Sequence, residues 1–571
     1  MLKSMKILTI IITVTILSLF ASCTSAPSNE EQDFSMLTFE NDLLPHDETL
    51  IVHHLDDDEP QAAALPHTAV DGGTITMAMH MPFTLNPLLN ECPSVAEILR
   101  LVYEPLIMLD EHHRPVSHIL SNFELSEDGL VATLTLHDNI HWEDGTRITA
   151  EDIIFSFETL RASGQNSIYR HVLEGIASYY IMADNLTVAV VYSQPTNYSF
   201  AYRLSFPIIP RHHHNVTGRN NPSSSVNMSP LGNGAYRVTN YRPMQDLVLL
   251  PNNRALRPRA NIGRITVLIM PDFETKMHAF NERVIDAIAT DVATWGRYRS
   301  TGTPVITPYV TNHYEFIGIN FTNPALADVL VRRAIAHAVN VDEIISSIYI
   351  NQALRAHTPI NSAAWFFAPG TITHSHNPIL ARRMLEEAGF SHFSSRGFVG
   401  SSHGGIVTEL QLRIIANAEN HERVSIAHII SDSLRMLQIY TEVIILDFDA
   451  YTAALSSGEF DLFIGGLNMP VYGDISFMFT SNAMPHQGGL NYFRYSSPMM
   501  DSFINQVTNS RTEEDFLQNI VQLQEFFSYE LPIISLAHRK SALFTSDRIA
   551  GAKHPVITNS FNDIHLWYVD R

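Results

Sequence analysis

Ser126-Glu127-Asp128-Gly129, a strand, then His141-Trp142-Glu143-Asp144-Gly145-Thr146-Arg147-Ile148-Thr149-Ala150-Glu151-Asp152-Ile153: this run decides the fold, and each part has a local structural reason. Asp128-Gly129 is a turn pair, after which Leu130, Ala132, Leu134 and Leu136 alternate with Val131, Thr133 and Thr135 at the period of a half-buried strand. Asp144-Gly145 closes a second short segment around Trp142. Thr149 followed by Asp152 has the spacing of a capping box, and Ile153, Phe157 and Leu160 then face one side of the helix it opens. The local order is strand, turn, strand, turn, helix.

The same ordered string over some thirty residues resembles the signature region of the family 5 extracellular solute-binding proteins. Further landmarks follow in that family's order: Leu85-Asn86-Pro87, Val102-Tyr103-Glu104-Pro105-Leu106, Ile209-Pro210-Arg211-His212 and Gly232-Asn233-Gly234-Ala235-Tyr236, with Ala235 where the family has proline. Arg283-Val284-Ile285-Asp286, Val331 to Ala338, Ala381 to Phe390, Phe460-Asp461 and Leu531-Pro532-Ile533-Ile534 complete the series, so the resemblance spans about 73–571. It implies an α/β fold, a two-lobed periplasmic-binding-protein-like clamp with an extra inserted subdomain in the first lobe. The boundaries carried over are 73–104, 211–305 and 538–571 for the first lobe, 105–210 for the inserted subdomain and 306–537 for the second lobe.

Composition agrees with a multidomain extracytoplasmic chain. At 571 residues the protein is too long for one core. Lys3 and Lys6 precede an apolar run from Ile7 to Phe20, and Ala21-Ser22-Cys23 follows. That is the layout of a secretory signal over 1–22 with a lipoprotein cleavage box, so lipid on Cys23 is expected; plain secretion and an uncleaved anchor are the other readings. The stretch 23–72 has no Lys or Arg, carries Asp56-Asp57-Asp58-Glu59, and reads as an acidic flexible tether. With Cys23 lipidated, Cys92 remains the sole other cysteine and no internal disulfide can form. A net charge of -23 argues against nucleic acid as a partner.

Enzyme and metal signatures are missing from the sequence. The 28 histidines include His212-His213-His214 and the pairs His112/His113, His137/His141 and His374/His376, none at the His-Glu-x-x-His spacing of a metallohydrolase. There is no Gly-x-Ser-x-Gly elbow, and Gly232-Asn233-Gly234 lacks the third glycine of a nucleotide loop. No catalytic residue, metal site or cofactor is therefore expected.

The resemblance implies a receptor that traps a small-molecule or peptide ligand between its lobes and delivers it to the transmembrane permease subunits and ATPase of an ABC importer. It would act as a monomer held to the membrane by its N-terminal lipid. In peptide-binding relatives a second-lobe carboxylate pairs with the ligand's amino terminus; here the corresponding loop gives Leu467, Asn468, Met469 and Pro470, and proline cannot ion-pair. Asp474, downstream in that loop, is the available substitute. On sequence alone, a blocked amino group should cost the ligand nothing. Glu91, Cys92 and Pro93 match a first-lobe loop that touches ligand in relatives, and Ala537-His538 replaces an aromatic pair near the second crossing between lobes. Peptides or peptide-like solutes lead; a nickel or other metal chelate, a sugar, and a ligand-presenting signalling role remain alternatives, with a secreted hydrolase behind them.

Overall fold

The polypeptide crosses between its two lobes on two long antiparallel strands, Val305–Ile319 and Ile533–Thr545. In this computed structural model the described residues are 72–570 apart from 164–166, 291–294 and 301–303. The signal segment 1–22, Cys23 and all of the 23–72 tether but its last residue lie outside them.

The crossing strands form the middle of one continuous sheet. On the first-lobe side, Thr545 to Ala542 pair with Ala287–Thr290, which leads on to Thr74–Met79, Arg264–Ile269, Asp246–Pro251 and Tyr236–Arg242. On the second-lobe side, His313 to Ile319 pair with Leu462–Asn468, followed by the parallel strands Gln411–Asn417 and Tyr440–Leu446. The ladder between the crossing strands runs from Val305/Thr545 to Val310/Lys540, breaks over 311–313, and resumes at Tyr314/His538. An interruption of this kind bends a strand, and a second register shift falls between Glu315 and Phe316, so the spine that the two lobes share has its weak point over 311–316.

The opening stretch folds into a separate four-stranded sheet. Leu120–Leu125 and Val131–Leu136 pair antiparallel across the Asp128-Gly129 turn, and Thr187–Tyr192 and Ile176–Ile181 extend the sheet. Gly129 and Gly145 both have positive φ, +69° and +94°, which explains glycine at each turn. The helix Ala150–Ser163 starts with one half of the capping box, Thr149 N donating to Asp152 Oδ2 at 3.0 Å, while Asp152 N donates to the Thr149 carbonyl rather than to its hydroxyl. Asp152 also accepts from Trp142 Nε1 at 3.4 Å and, through Oδ1, from Arg211 N at 2.8 Å. One carboxylate thereby ties the signature turn to the Pro210-Arg211-His212 step, and His212 returns 2.8 Å from Asp144.

The helices of the second lobe are set by their caps and buried faces. Val329–Ala338 is capped by Asp328, and Arg332, almost fully buried, donates to the carbonyls of Leu326, Ala327, Glu530 and Leu531. His421–Met436 buries Ala427, Ile430 and Leu434, with Val424 half-buried. Near the N-terminus the helix Pro93–Leu99 stops short of the Val102 to Leu106 landmark. The carbonyls of Leu101 and Val102 instead accept from Tyr236 N and Gly234 N at 2.9 and 2.8 Å. That close approach is why residue 232 is glycine: a Cβ there would lie 2.0 Å from the Val102 carbonyl oxygen.

Candidate functional site: the cavity between the lobes

A cavity of about 840 Å³ lies between the lobes, within the size range of small-ligand sites. The first lobe contributes Ala96, Leu99 and Arg100 from the Pro93–Leu99 helix and its C-cap, then Tyr103 and Glu104. The inserted subdomain supplies Tyr169, Glu174, Tyr202 and Arg203, and the second lobe Asn312 and the loop Asn468 to Tyr472.

Glu104 is the most buried charge on this wall. Its carboxylate sits 2.8 Å from His118 Nε2 and 2.9 Å from Arg257 Nε, with all three side chains at most 12 % exposed. Burial alone would raise its pKa, but His118 and Arg257 outweigh burial and hold the carboxyl below its usual range. Arg100 is likewise engaged, 2.6 Å from Glu97. Both are therefore satisfied before any ligand arrives.

Asn312 connects the cavity to the break in the spine. Its carbonyl accepts from Met469 N at 2.9 Å, its side-chain amide donates to the Met469 carbonyl at 3.2 Å, and its Oδ1 accepts from Asn361 at 2.9 Å. Asn312 and Met469 thus place part of the cavity wall on the segment where the crossing ladder is interrupted.

Beside the same segment lies a fully buried ionic cluster. Glu315, with no exposed surface, is 3.0 Å from Arg423 Nε, 2.5 Å from Arg539 Nη2 and 3.2 Å from His313 Nε2. His538, next to Arg539, is buried with its ring 5.2 Å from that of Tyr314, and burial pushes its imidazole down to about 4.

The inserted subdomain also grips the second lobe directly. Trp365 Nε1 donates to the Tyr202 hydroxyl at 2.9 Å, Arg114 stacks over the Trp365 ring at 4.4 Å, and Glu513 receives both Arg114 and the Tyr198 hydroxyl at 2.7 and 2.6 Å. Glu513→Ala removes two of these links. Because Arg114 and Glu513 are each 43 % exposed, the expected loss is only on the order of 1 kcal/mol, read as a lowered melting temperature, and the radius of gyration of the ligand-free protein should rise.

Of the residues singled out from sequence, Asn468, Met469 and Pro470 line the cavity. Leu467 sits one position earlier in the strand, opposite Tyr314. Glu91, Cys92 and Pro93 lie at the start of the lining helix but off the wall: Glu91 and Pro93 are exposed, and the Cys92 thiol is 3.9 Å from His80 Nδ1. Asp474 is half-buried and accepts from Ser476 N at 2.8 Å, also off the wall, as is His538. Sequence reasoning did not select Arg100, Glu174, Tyr202, Arg203, Asn312 or Tyr472. The landmark Val102 to Leu106 did contain Glu104, but nothing local marked its carboxylate as facing a cavity. The three consecutive histidines diverge: His212 meets Asp144, His213 meets the Ser229 carbonyl at 2.8 Å, and His214 is buried. Among the described residues no group of three or more His, Cys, Asp or Glu side chains converges as a metal site.

Residues 114–488 match the family described as bacterial extracellular solute-binding proteins, family 5 Middle. The chain belongs to that family. Oligopeptide-binding protein AppA of Bacillus subtilis is 20 % identical over 509 residues, 87 % of this chain and 92 % of its own length. Among solved structures, HbpA2 of Haemophilus parasuis superposes with a TM-score of 0.75 at 18 % identity, covering 87 % of this chain and all of its own. NikZ of Campylobacter jejuni, solved with Ni(L-His), gives 0.64 at 21 % identity, covering 88 % and 100 %. At these identities the structures establish the family's two-lobed fold, and the family is one of extracytoplasmic solute-binding proteins.

Proposed function

We propose that this protein is the solute-binding receptor of an ABC importer, that its solutes are peptides or peptide-like, and that it holds them in the cavity between Arg100, Glu104, Asn312 and Tyr472. The observation that carries this reading is the cavity itself, walled by both lobes and abutting the break in the crossing strands. A solute that contacts both walls favours the closed arrangement by its differential affinity for it. The closed form is then what the permease recognises, and its ATPase drives the uptake.

The receptor makes and breaks no bonds. In support, the most buried carboxylate at the site, Glu104, is committed to Arg257 and His118 rather than poised for proton transfer. Attachment to the outer face of the membrane by lipid on Cys23 is supported by Lys3, Lys6, the apolar run and Ala21-Ser22-Cys23; among the described residues no helix is long and apolar enough to cross a membrane. In this reading the receptor acts as a monomer, as the family resemblance implies.

The second-lobe wall, Asn312 and Asn468 to Tyr472, carries amides, backbone groups and apolar surface but no charged side chain. Extended ligands with repeating amide groups suit such a wall, because backbone pairing does not depend on side-chain identity. A thermal-shift panel tests the reading: mixed di- to pentapeptides, Ni(II)-histidine, haem and malto-oligosaccharides. The peptide mixture should raise the melting temperature, by the equivalent of about 2.7 kcal/mol at a hundredfold excess over Kd. Stabilisation by one of the others and not by peptides would contradict it.

A further inference from the structure

Four acidic or basic side chains line the cavity together with His171, and two of the four are already neutralised: Arg100 by Glu97, and Glu104 by Arg257 and His118. Glu174 and Arg203 differ. Neither has an ion-pair partner among the described residues, and they do not pair with each other. Arg203 Nη1 instead donates to the backbone carbonyl of Glu174 at 2.9 Å, which fixes the two residues together at the inserted-subdomain end of the cavity. Facing them is Tyr472 of the second lobe, whose ring lies 6.0 Å from that of Tyr202, next to Arg203. Burial pushes the Tyr472 phenol up to about 12, and Asp474, Arg203 and Glu174 all act on it, so it is a neutral hydroxyl in the field of charges of both signs.

Unpaired charges at the rim of a cleft lose hydration when the cleft is filled, and a ligand lacking counter-charges leaves that loss uncompensated. The opposite wall cannot compensate, since it carries no charged side chain. We infer that Glu174 and Arg203 are the specificity-determining residues of this site, taking respectively the cationic and the anionic group of one zwitterionic ligand, an amino-carboxylate such as a free amino acid or short peptide. This rests on the receptor reading above and sharpens it. It also replaces the sequence-based expectation that a blocked amino group is harmless, by moving the ammonium's partner from the second-lobe loop to the inserted subdomain.

Calorimetry with trialanine, N-acetyl-trialanine, trialanine amide, an equimolar amino-acid mixture and maltotriose tests it, using the wild type, Glu174→Gln and Arg203→Gln. Glu174 is exposed, so its variant should keep the wild-type melting temperature. In the wild type each blocking group should weaken binding on the order of tenfold. Glu174→Gln should abolish discrimination against acetylation while keeping that against amidation, and Arg203→Gln should do the reverse. If the peptides bind but neither block matters, or both variants keep both discriminations, the assignment is overturned while the peptide reading stands. If only amino acids bind, with the same dependence on the two variants, the assignment stands and the peptide reading falls. Binding of maltotriose alone, or of none of these probes, overturns both.

Discussion

Glu315→Gln is expected to destabilise the protein by roughly 3–5 kcal/mol, because it removes the carboxylate that neutralises two buried guanidinium groups. Arg423 comes from the first turn of a second-lobe helix and Arg539 from the second crossing strand, while Glu315 stands on the first. The cluster therefore binds the two crossing strands to the second lobe beside their weak point. Differential scanning calorimetry checks the size of the effect. Replacing Glu315, Arg423 and Arg539 together by Leu, Met and Met should cost less than Glu315→Gln alone, since no charge is then left buried without a partner.

The same cluster fixes a pH dependence. Burial of Glu315 would raise its pKa, yet His313, Arg423 and Arg539 together hold it to about 2, against an ordinary value of 4.5. A carboxyl depressed in the folded state contributes its stability above its unfolded pKa and loses it as pH falls through the folded one. The wild-type melting temperature should therefore fall between about pH 4.5 and pH 2 more steeply than that of Glu315→Gln over the same interval. Parallel curves for the two proteins would show that Glu315 is not held in this way.

Trp142→Ala is the second large effect, on the order of 3–5 kcal/mol. The indole is fully buried in the large apolar core that the inserted subdomain shares with the rest of the fold. Its removal leaves a cavity and deprives Asp152 of one donor, although Thr149 N and Arg211 N remain. Trp142→Phe keeps most of the volume and loses the long 3.4 Å hydrogen bond, so it should cost about 1 kcal/mol. The two variants separate packing from hydrogen bonding at the residue around which the signature stretch folds.

That stretch was legible because its information is local. Asp128-Gly129, Asp144-Gly145 and the Thr149/Asp152 cap each act within five residues, so their consequences can be read without knowing what lies nearby in space. Helix ends set by distant partners were less legible. The Pro93–Leu99 helix stops because Gly234 and Tyr236 claim the carbonyls of Val102 and Leu101, and no pattern around residue 100 announces that.

The cavity was legible only where one loop carried it. Asn468 to Pro470 are consecutive and could be placed by counting along a single segment. Glu174, Arg203, Asn312 and Tyr472 come from three regions of the chain brought together by the fold, and each is unremarkable in its own sequence window. Buried charge was the least visible of all. Glu104 and Glu315 look alike in sequence, yet one faces the cavity and the other is sealed in the spine, a difference set by the pairings Glu104–Arg257 and Glu315–Arg423 across more than a hundred residues.

The central claim is that solute is held in the cavity between the lobes. A crystal structure of the protein with the tightest-binding member of the peptide panel tests it most directly. The account predicts density for the peptide bounded by Arg100, Glu104, Asn312, Met469 and Tyr472, with its charged groups at Glu174 and Arg203. Peptide bound outside this cavity, with those residues in contact only with solvent, would contradict it.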